Sequence, residues 1–261
     1  MELNGAIAVV TGASAGIGEA TAIALARRGA TVVLAARRSE RLDDLAARIE
    51  ARGGRALALR CDVTDLSDVR SLAAAVEEAF GRCDVLVNNA GIPGEGTFTD
   101  LDFDAIERVV RVNELGLFWT TKAFLPMMLR AGRGHVVNVA SLAGRFAVPG
   151  SSVYSATKHA VVAFSEALHY ELAPRGVLVT TVNPGPVPTE GFPQTGRPRQ
   201  VVTPVTEVAD LIVDVVRRGR APEVSIPRWV ASLQLFRVLT PRLYRWGVRT
   251  VTARRFRPRA P

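Results

Sequence analysis

Lysine is nearly absent from this chain. Of 33 basic residues only Lys122 and Lys158 are lysine and the other 31 are arginine, so a compact ammonium stands at just two places. Cysteine is as sparse. Cys61 and Cys83 are the only two, with no metal-ligand spacing and too few for a disulfide framework, which predicts buried spectator thiols in a reducing compartment. His135, His159 and His169 show no metal-ligand spacing and no accompanying carboxylate cluster, so packing or interface roles are expected and no metal is. No apolar run approaches the roughly 18 residues that a spanning helix needs. The opening Met1-Glu2-Leu3-Asn4-Gly5 lacks the basic start, apolar stretch and cleavage site of a secretory signal. These absences together predict a cytoplasmic protein.

What remains is ordinary globular material. The 261 residues are 48% apolar and 22% charged, enough for one large α/β domain with a stable core. Charge is distributed unevenly. Residues 217–261 hold twelve arginines and one acid, Glu223, a local net of +11 that leaves −3 for the rest of a chain whose total is +8. The basicity therefore belongs to the tail and gives no reason to expect nucleic acid on the body. An acidic partner or an anionic membrane surface is the question it raises.

Apolar, β-branched runs alternate with helical patterns along the chain. Strands are expected at Ala6–Thr11, Thr31–Ala36, Ala56–Cys61, Asp84–Asn88, His135–Ala140, Val177–Asn183 and Glu223–Ile226. Helices are expected at about 17–29, 39–52, 66–80, 102–130, 152–173 and 204–218. This alternation calls for right-handed βαβ crossovers and a parallel sheet covered on both faces. One segment breaks it. Residues 184–204 contain six prolines and three glycines, a composition that forms neither a helix nor a central strand. It follows a strand end, where ligands bind in open α/β sheets, so a lid over a site is expected, with a passive surface loop as the alternative.

The first strand runs into Thr11-Gly12-Ala13-Ser14-Ala15-Gly16-Ile17-Gly18 and then a helix. Glycines there permit a tight turn and close backbone approach to a pyrophosphate, which the helix N-terminus stabilises. The tip of the second strand reads Ala35-Ala36-Arg37-Arg38, with no acid to bind a ribose 2′-hydroxyl. Arg37 is suited to grip a 2′-phosphate through a forked, charge-assisted hydrogen bond, which favours NADP over NAD. The plainer possibility is that both arginines are solvated charges opening the next helix.

Tyr154-Ser155-Ala156-Thr157-Lys158 sets a phenol and an amine four residues apart, on one helix face. A phenol is a poor acid-base group at neutral pH, and a neighbouring ammonium lowers its pKa towards the catalytic range. One of only two lysines stands at that spot. Ser141, at the tip of the strand before it, can bind the same carbonyl oxygen that Tyr154 protonates, or it can simply cap a turn. Asn113 is an awkward residue inside a long helix, and it can kink that helix and hold a water linking Lys158 to solvent.

With Thr-Gly-x-x-x-Gly-x-Gly at 11–18, Asn-Asn-Ala-Gly at 88–91, Tyr-x-x-x-Lys at 154–158 and Pro-Gly-x-Val-x-Thr at 184–189, the chain resembles the classical short-chain dehydrogenase/reductase family over roughly residues 5–227. The resemblance implies a doubly wound Rossmann-type fold with a seven-stranded parallel sheet, and a tetrad of Asn113, Ser141, Tyr154 and Lys158. It implies cofactor contacts from Gly12, Ser14, Gly16, Ile17 and Gly18, from Arg37, and from Asp62 and Val63 near the adenine. It adds Asn88, Ala90 and Gly91 at the central strand, Pro184, Gly185, Val187 and Thr189 beyond the sixth strand, and Lys158 on the nicotinamide ribose. A homodimer or homotetramer is also implied.

Residues 1–227 are thus expected to form one domain and 228–261 a basic amphipathic extension. At 100° per residue Trp229, Leu233, Phe236, Leu239 and Leu243 share a side, with Arg237, Arg242, Arg245 and Arg249 mostly opposite and a break near Pro241. The extension either folds over the pocket or a subunit interface, or lies on an anionic membrane. Arg254–Arg259 is expected to be disordered when unbound. The activity expected is an NADP-dependent oxidoreductase acting on a hydrophobic carbonyl or alcohol, with a non-catalytic dinucleotide sensor or scaffold as the rival.

Overall fold

The computed structural model describes residues 1–94, 96–193, 202–227 and 229–252. Seven strands, β1 (Ile7–Thr11), β2 (Thr31–Ala36), β3 (Arg55–Arg60), β4 (Val85–Asn88), β5 (Gly134–Val139), β6 (Val177–Pro184) and β7 (Glu223–Ile226), form one sheet in the order β3-β2-β1-β4-β5-β6-β7. Every pairing is parallel. This is the doubly wound Rossmann-type fold. The strand order reverses between β1 and β4, and the crevice beyond the carboxyl ends of strands at such a reversal is where ligands bind.

The crossovers are helical: α1 (Gly16–Ala26), α2 (Ser39–Glu50), α3 (Leu66–Phe80), α4 (Phe103–Val110), α5 (Gly116–Ala131), α6 (Ser152–Leu172) and α7 (Val205–Arg218). Period-two alternation on the central strands divides the core into two layers. Ala8 and Val10 of β1 pack with Leu25 of α1, Leu45 of α2 and Ile212 of α7. Ile7 and Val9 face the other way, onto Leu72 of α3 and Phe124 and Met128 of α5. Residues of β1, β2, β4 and β5 are buried throughout, because each of these strands has a neighbour on both edges and helices above and below.

The helix expected over 102–130 is not continuous. A one-turn π-helix, Arg111–Leu115, separates α4 from α5 and carries Asn113 at its middle. The extra residue per turn re-aims that side chain, which is the physical form of the kink the sequence suggested. In the segment expected to be irregular, residues 189–192 close a tight turn in which Thr189 and Phe192 form an antiparallel bridge. Residues 194–201 of the expected lid lie outside the described residues. After β7 come two further helices, α8 (Val230–Leu239) and α9 (Pro241–Thr252), with the break at Thr240. The stretch Arg254–Arg259 lies outside the described residues. Among the described residues no helix is long and apolar enough to cross a membrane.

Candidate active site

A cleft of about 840 Å³ opens at the carboxyl ends of the strands, over the β1/β4 reversal. Its floor is the glycine-rich loop. Gly16 adopts φ +59, and a Cβ there would stand 2.8 Å from Thr189 Cγ2, so the loop and the segment after β6 approach as only glycine permits. A Cβ on Gly18 would stand 2.3 Å from the Gly12 carbonyl oxygen, so close seating of α1 on its own loop requires glycine. The residue preceding α1, Ala15, makes no side-chain cap bond. Ala15, Gly16 and Ile17 line the cleft, so the N-terminus of α1 opens onto it, as a bound pyrophosphate needs, while Glu19 in the first turn is paired with Arg48.

A polar brace holds this loop against β4. The backbone N–H groups of Asn89 and Ala90 donate to Thr11 Oγ1 at 3.0 and 3.1 Å. The Asn89 side chain donates to the carbonyls of Thr11 at 3.0 Å and Gly12 at 3.3 Å. Asn89 lies inside the Asn-Asn-Ala-Gly motif, but two adjacent asparagines give no sign in the sequence of which one faces the loop.

At the tip of β2 the two arginines make different contacts. Arg37 is 68% exposed at its side chain and reaches only to within 4.0 Å of Asp62. Arg38 is the one fastened to the loop. Its Nε and Nη2 donate to Ser14 Oγ at 3.2 and 3.0 Å, and its Nη1 pairs with Glu190 at 2.7 Å. Arg41, on the first turn of α2, pairs with the other Glu190 oxygen at 3.2 Å. The anchoring of Arg38 was not readable from the sequence, because two adjacent arginines give no sign of which one reaches the loop; both line the cleft. The Asp62 carboxylate is taken up by Thr64, whose N–H and hydroxyl donate at 2.9 and 2.8 Å.

Three of the four side chains expected to be catalytic also line the cleft. Tyr154 and Lys158, one turn apart on α6, both line the cleft, with Nζ 5.7 Å from the centre of the phenol ring. Lys158 is 4% exposed, donates to the Val139 carbonyl at 2.9 Å, and burial pulls its pKa down from the usual lysine range to about 8. Ser141 caps the short turn Leu142–Gly144 by accepting from Ala143 N–H at 3.1 Å. A hydroxyl that accepts this bond keeps its own proton to donate into the cleft, so capping and catalysis are compatible. Phe192 covers the phenol, ring centres 5.7 Å apart.

Of the remaining sequence-expected positions, Gly12, Ser14, Gly16, Ile17, Arg37, Asp62, Val63, Ala90, Gly91, Pro184, Gly185, Val187 and Thr189 line the cleft with Ser141, Tyr154 and Lys158. Three stand behind its wall. Gly18 is buried in the α1 contact. Asn88 is buried in a side-chain network, donating to Thr121 at 2.8 Å and Asn138 at 2.9 Å and accepting from Thr120 at 2.6 Å. Asn113 is buried too, and its amide clamps one residue from both sides. Its Oδ1 accepts from Ile92 N–H at 2.8 Å and its Nδ2 donates to the Ile92 carbonyl at 2.9 Å. A Cβ added to Gly91 would lie 3.4 Å from Asn113 Oδ1 and 3.7 Å from Lys158 Nζ, so the two polar groups approach the cleft wall around that glycine.

The comparisons with known proteins agree with this architecture. The family described as short chain dehydrogenase matches residues 6–199, a shorter span than the motifs suggested. A glycine betaine reductase of Emericella nidulans is 44% identical over 188 residues, 72% of this chain but only 15% of that much longer protein. A short-chain dehydrogenase/reductase of Burkholderia phymatum, solved with NAD, superposes with a TM-score of 0.84 at 29% identity, covering 94% of this chain and 96% of that one. The actinorhodin polyketide ketoreductase, a single-substitution variant solved with NADPH, superposes with a TM-score of 0.80 at 32% identity, covering 86% and 97%.

Proposed function

The chain belongs to the short-chain dehydrogenase family, and from that premise we propose that it is an NADP-dependent oxidoreductase interconverting an alcohol and a ketone or aldehyde. The observation that carries this reading is the convergence of Ser141, Tyr154 and Lys158 on one cleft with the glycine loop. When bound, NADPH supplies the hydride that reduces a carbonyl carbon. The Tyr154 phenol donates the proton that the carbonyl oxygen requires, which balances the reduction to a hydroxyl. The Ser141 hydroxyl donates to the same oxygen and orients it. Lys158 places a positive charge beside the phenol, stabilising the phenolate left after transfer, and its bond to the Val139 carbonyl fixes where that charge sits.

The preference for NADP rests on the tip of β2. Arg37, Arg38 and Arg41 gather there with the Ser14 hydroxyl, and the strand ends without a carboxylate. Related structures hold either NAD or NADPH, so the preference is argued from this chain's own side chains. Ile92, Pro93, Leu142, Val148 and Phe192 give the substrate end an apolar wall, which favours a hydrophobic carbonyl compound. The test follows oxidation of NADPH and of NADH against ketones and aldehydes graded from small and polar to long-chain. Turnover with apolar carbonyls, at least tenfold faster with NADPH, is expected. Equal rates with both nucleotides overturn the cofactor assignment, and no turnover with any carbonyl supports the non-catalytic alternative.

A further inference from the structure

Of the last two described helices, the first, α8, is folded inside out. On α8, among the residues whose side chains are described, Gln234 and Arg237 are half-buried, while Leu233, Leu235, Phe236, Val238 and Leu239 are exposed. Arg237 is the anchor. Its guanidinium donates to the Arg145 carbonyl and lies 5.8 Å from the centre of the Tyr244 ring, which in turn stands 6.3 Å from Phe146. A soluble helix ordinarily turns its leucines inward and its arginine outward. Here the polar side is held against the turn that follows Ser141, and the apolar side is presented outward.

On α9, Tyr244, Gly247 and Val248 are the half-buried positions, and Leu243 and Trp246 are exposed. Arg242, Arg245 and Arg249, also exposed, recur at helical spacing and run as a stripe beside that pair. The patch is therefore apolar over α8 and mixed tryptophan, leucine and arginine over α9. Seven large apolar side chains exposed on two consecutive short helices call for something to cover them.

We propose that this surface docks on an anionic lipid bilayer, with α8 and α9 lying in the interface. Three observations select lipid over other occupants. Residues 228–261 carry nine arginines and not one aspartate or glutamate, which complements a sheet of negative headgroups. A second copy seated by two-fold symmetry would set this patch against itself, and the patch holds no carboxylate with which its arginines can pair. The helices are ten and twelve residues long, about half of what a bilayer requires, so they lie along the surface and do not cross it. An apolar face flanked by arginines, with tryptophan at its border, is the composition of helices that insert at the headgroup level.

The experiment is flotation of the full chain with vesicles of pure phosphatidylcholine and of phosphatidylcholine with 30% phosphatidylglycerol, in low and in 0.5 M salt. Partition to the anionic vesicles is expected to exceed partition to the neutral ones at least tenfold. It should fall with salt to a residue set by apolar insertion. Two variants divide the contributions. Leu239→Glu with Trp246→Glu should abolish binding at either salt, and Arg242→Gln with Arg245→Gln and Arg249→Gln should remove mainly the salt-sensitive part. Both should keep the lipid-free activity, because all five side chains are exposed and none lines the cleft. A full chain that stays in solution with anionic vesicles at low salt overturns the proposal. So does a lipid-free oligomer, seen by light scattering, that the Leu239→Glu and Trp246→Glu pair dissociates, because the face then belongs to a second copy.

Discussion

Glu190 pairs with Arg38 at 2.7 Å, joining two residues 152 positions apart and tying the segment after β6 to the tip of β2. The same carboxylate reaches Arg41, so it occupies the arginines that a ribose 2′-phosphate would use. Hydrogen bonding to Arg38 holds Glu190 below the ordinary carboxylate range, so it is an anion at any working pH. On the proposed preference for NADP, the 2′-phosphate would have to displace this carboxylate or share the arginines with it. Glu190→Gln is expected to tighten NADPH binding roughly three- to tenfold and leave NADH unchanged, because it removes a competing charge and little else. Arg38→Ala should weaken NADPH at least tenfold, and Arg37→Ala by less, since Arg38 alone is fixed to Ser14. Isothermal titration with both nucleotides checks all three, and a larger loss from Arg37→Ala would restore that residue to the leading role.

Tyr154→Phe removes one oxygen from the cleft wall and keeps the ring that packs against Phe192. Turnover should fall by about 10²–10⁴-fold, the usual worth of a positioned acid-base group, with melting temperature and NADPH affinity preserved. Steady-state rates on any carbonyl accepted by the wild type decide it, and near-normal turnover removes the phenol from the chemistry.

Because the chain has just two lysines, Lys158 can be watched directly. Selective lysine labelling should give two side-chain resonances, assigned with Lys122→Arg, and the Lys158 signal should titrate with a midpoint near 8 in the nucleotide-free protein. The folded chain gives up this proton near pH 8 and the unfolded chain near 10.5, so burying the charge costs stability below pH 8, and that cost is relieved as pH rises through this window. Lys158→Met should accordingly flatten the pH dependence of the melting temperature between 8 and 10.

The sheet and most of its boundaries were legible in the sequence because β-branched runs and glycine turns act locally. Thr31–Ala36 and Glu223–Ile226 are strands with the ends the sequence suggested. Leu66–Phe80 is a helix likewise, opened by an Asp65 cap and closed by Gly81 in the left-handed conformation. The glycine loop and the Tyr154–Lys158 pair were readable for the same reason, since their spacing carries the chemistry. Long-range partnership was not readable. Nothing near Asn113 in sequence names Ile92, and nothing near Arg38 names Glu190. The outward turn of the α8 leucines was hidden as well, since a wheel shows that faces differ but not which one the body takes. Trp229, Leu233, Phe236 and Leu239 do share a side, yet Leu235 and Val238 are equally exposed.

The Asn113 clamp offers a test that separates holding from reacting. Its amide satisfies both backbone groups of Ile92 at 2.8 and 2.9 Å, inside a π-turn where the side chain is 1% exposed. Asn113→Ala leaves the half-buried Ile92 N–H and carbonyl without their side-chain partner, each deprived of a bond whose loss costs up to about 1–3 kcal/mol. The melting temperature should drop by several degrees on that ground alone. Asn113→Asp keeps the acceptor for Ile92 N–H but sets a carboxylate oxygen against the Ile92 carbonyl, and it brings a negative charge close to Lys158 around Gly91. That charge should raise the Lys158 midpoint above 8 in the lysine-labelled titration, whereas the alanine variant should leave it within a few tenths of a unit. If both variants lose only stability and the Lys158 midpoint stays where it was, Asn113 is a clamp on the β4 exit loop and has no electrostatic part in the site.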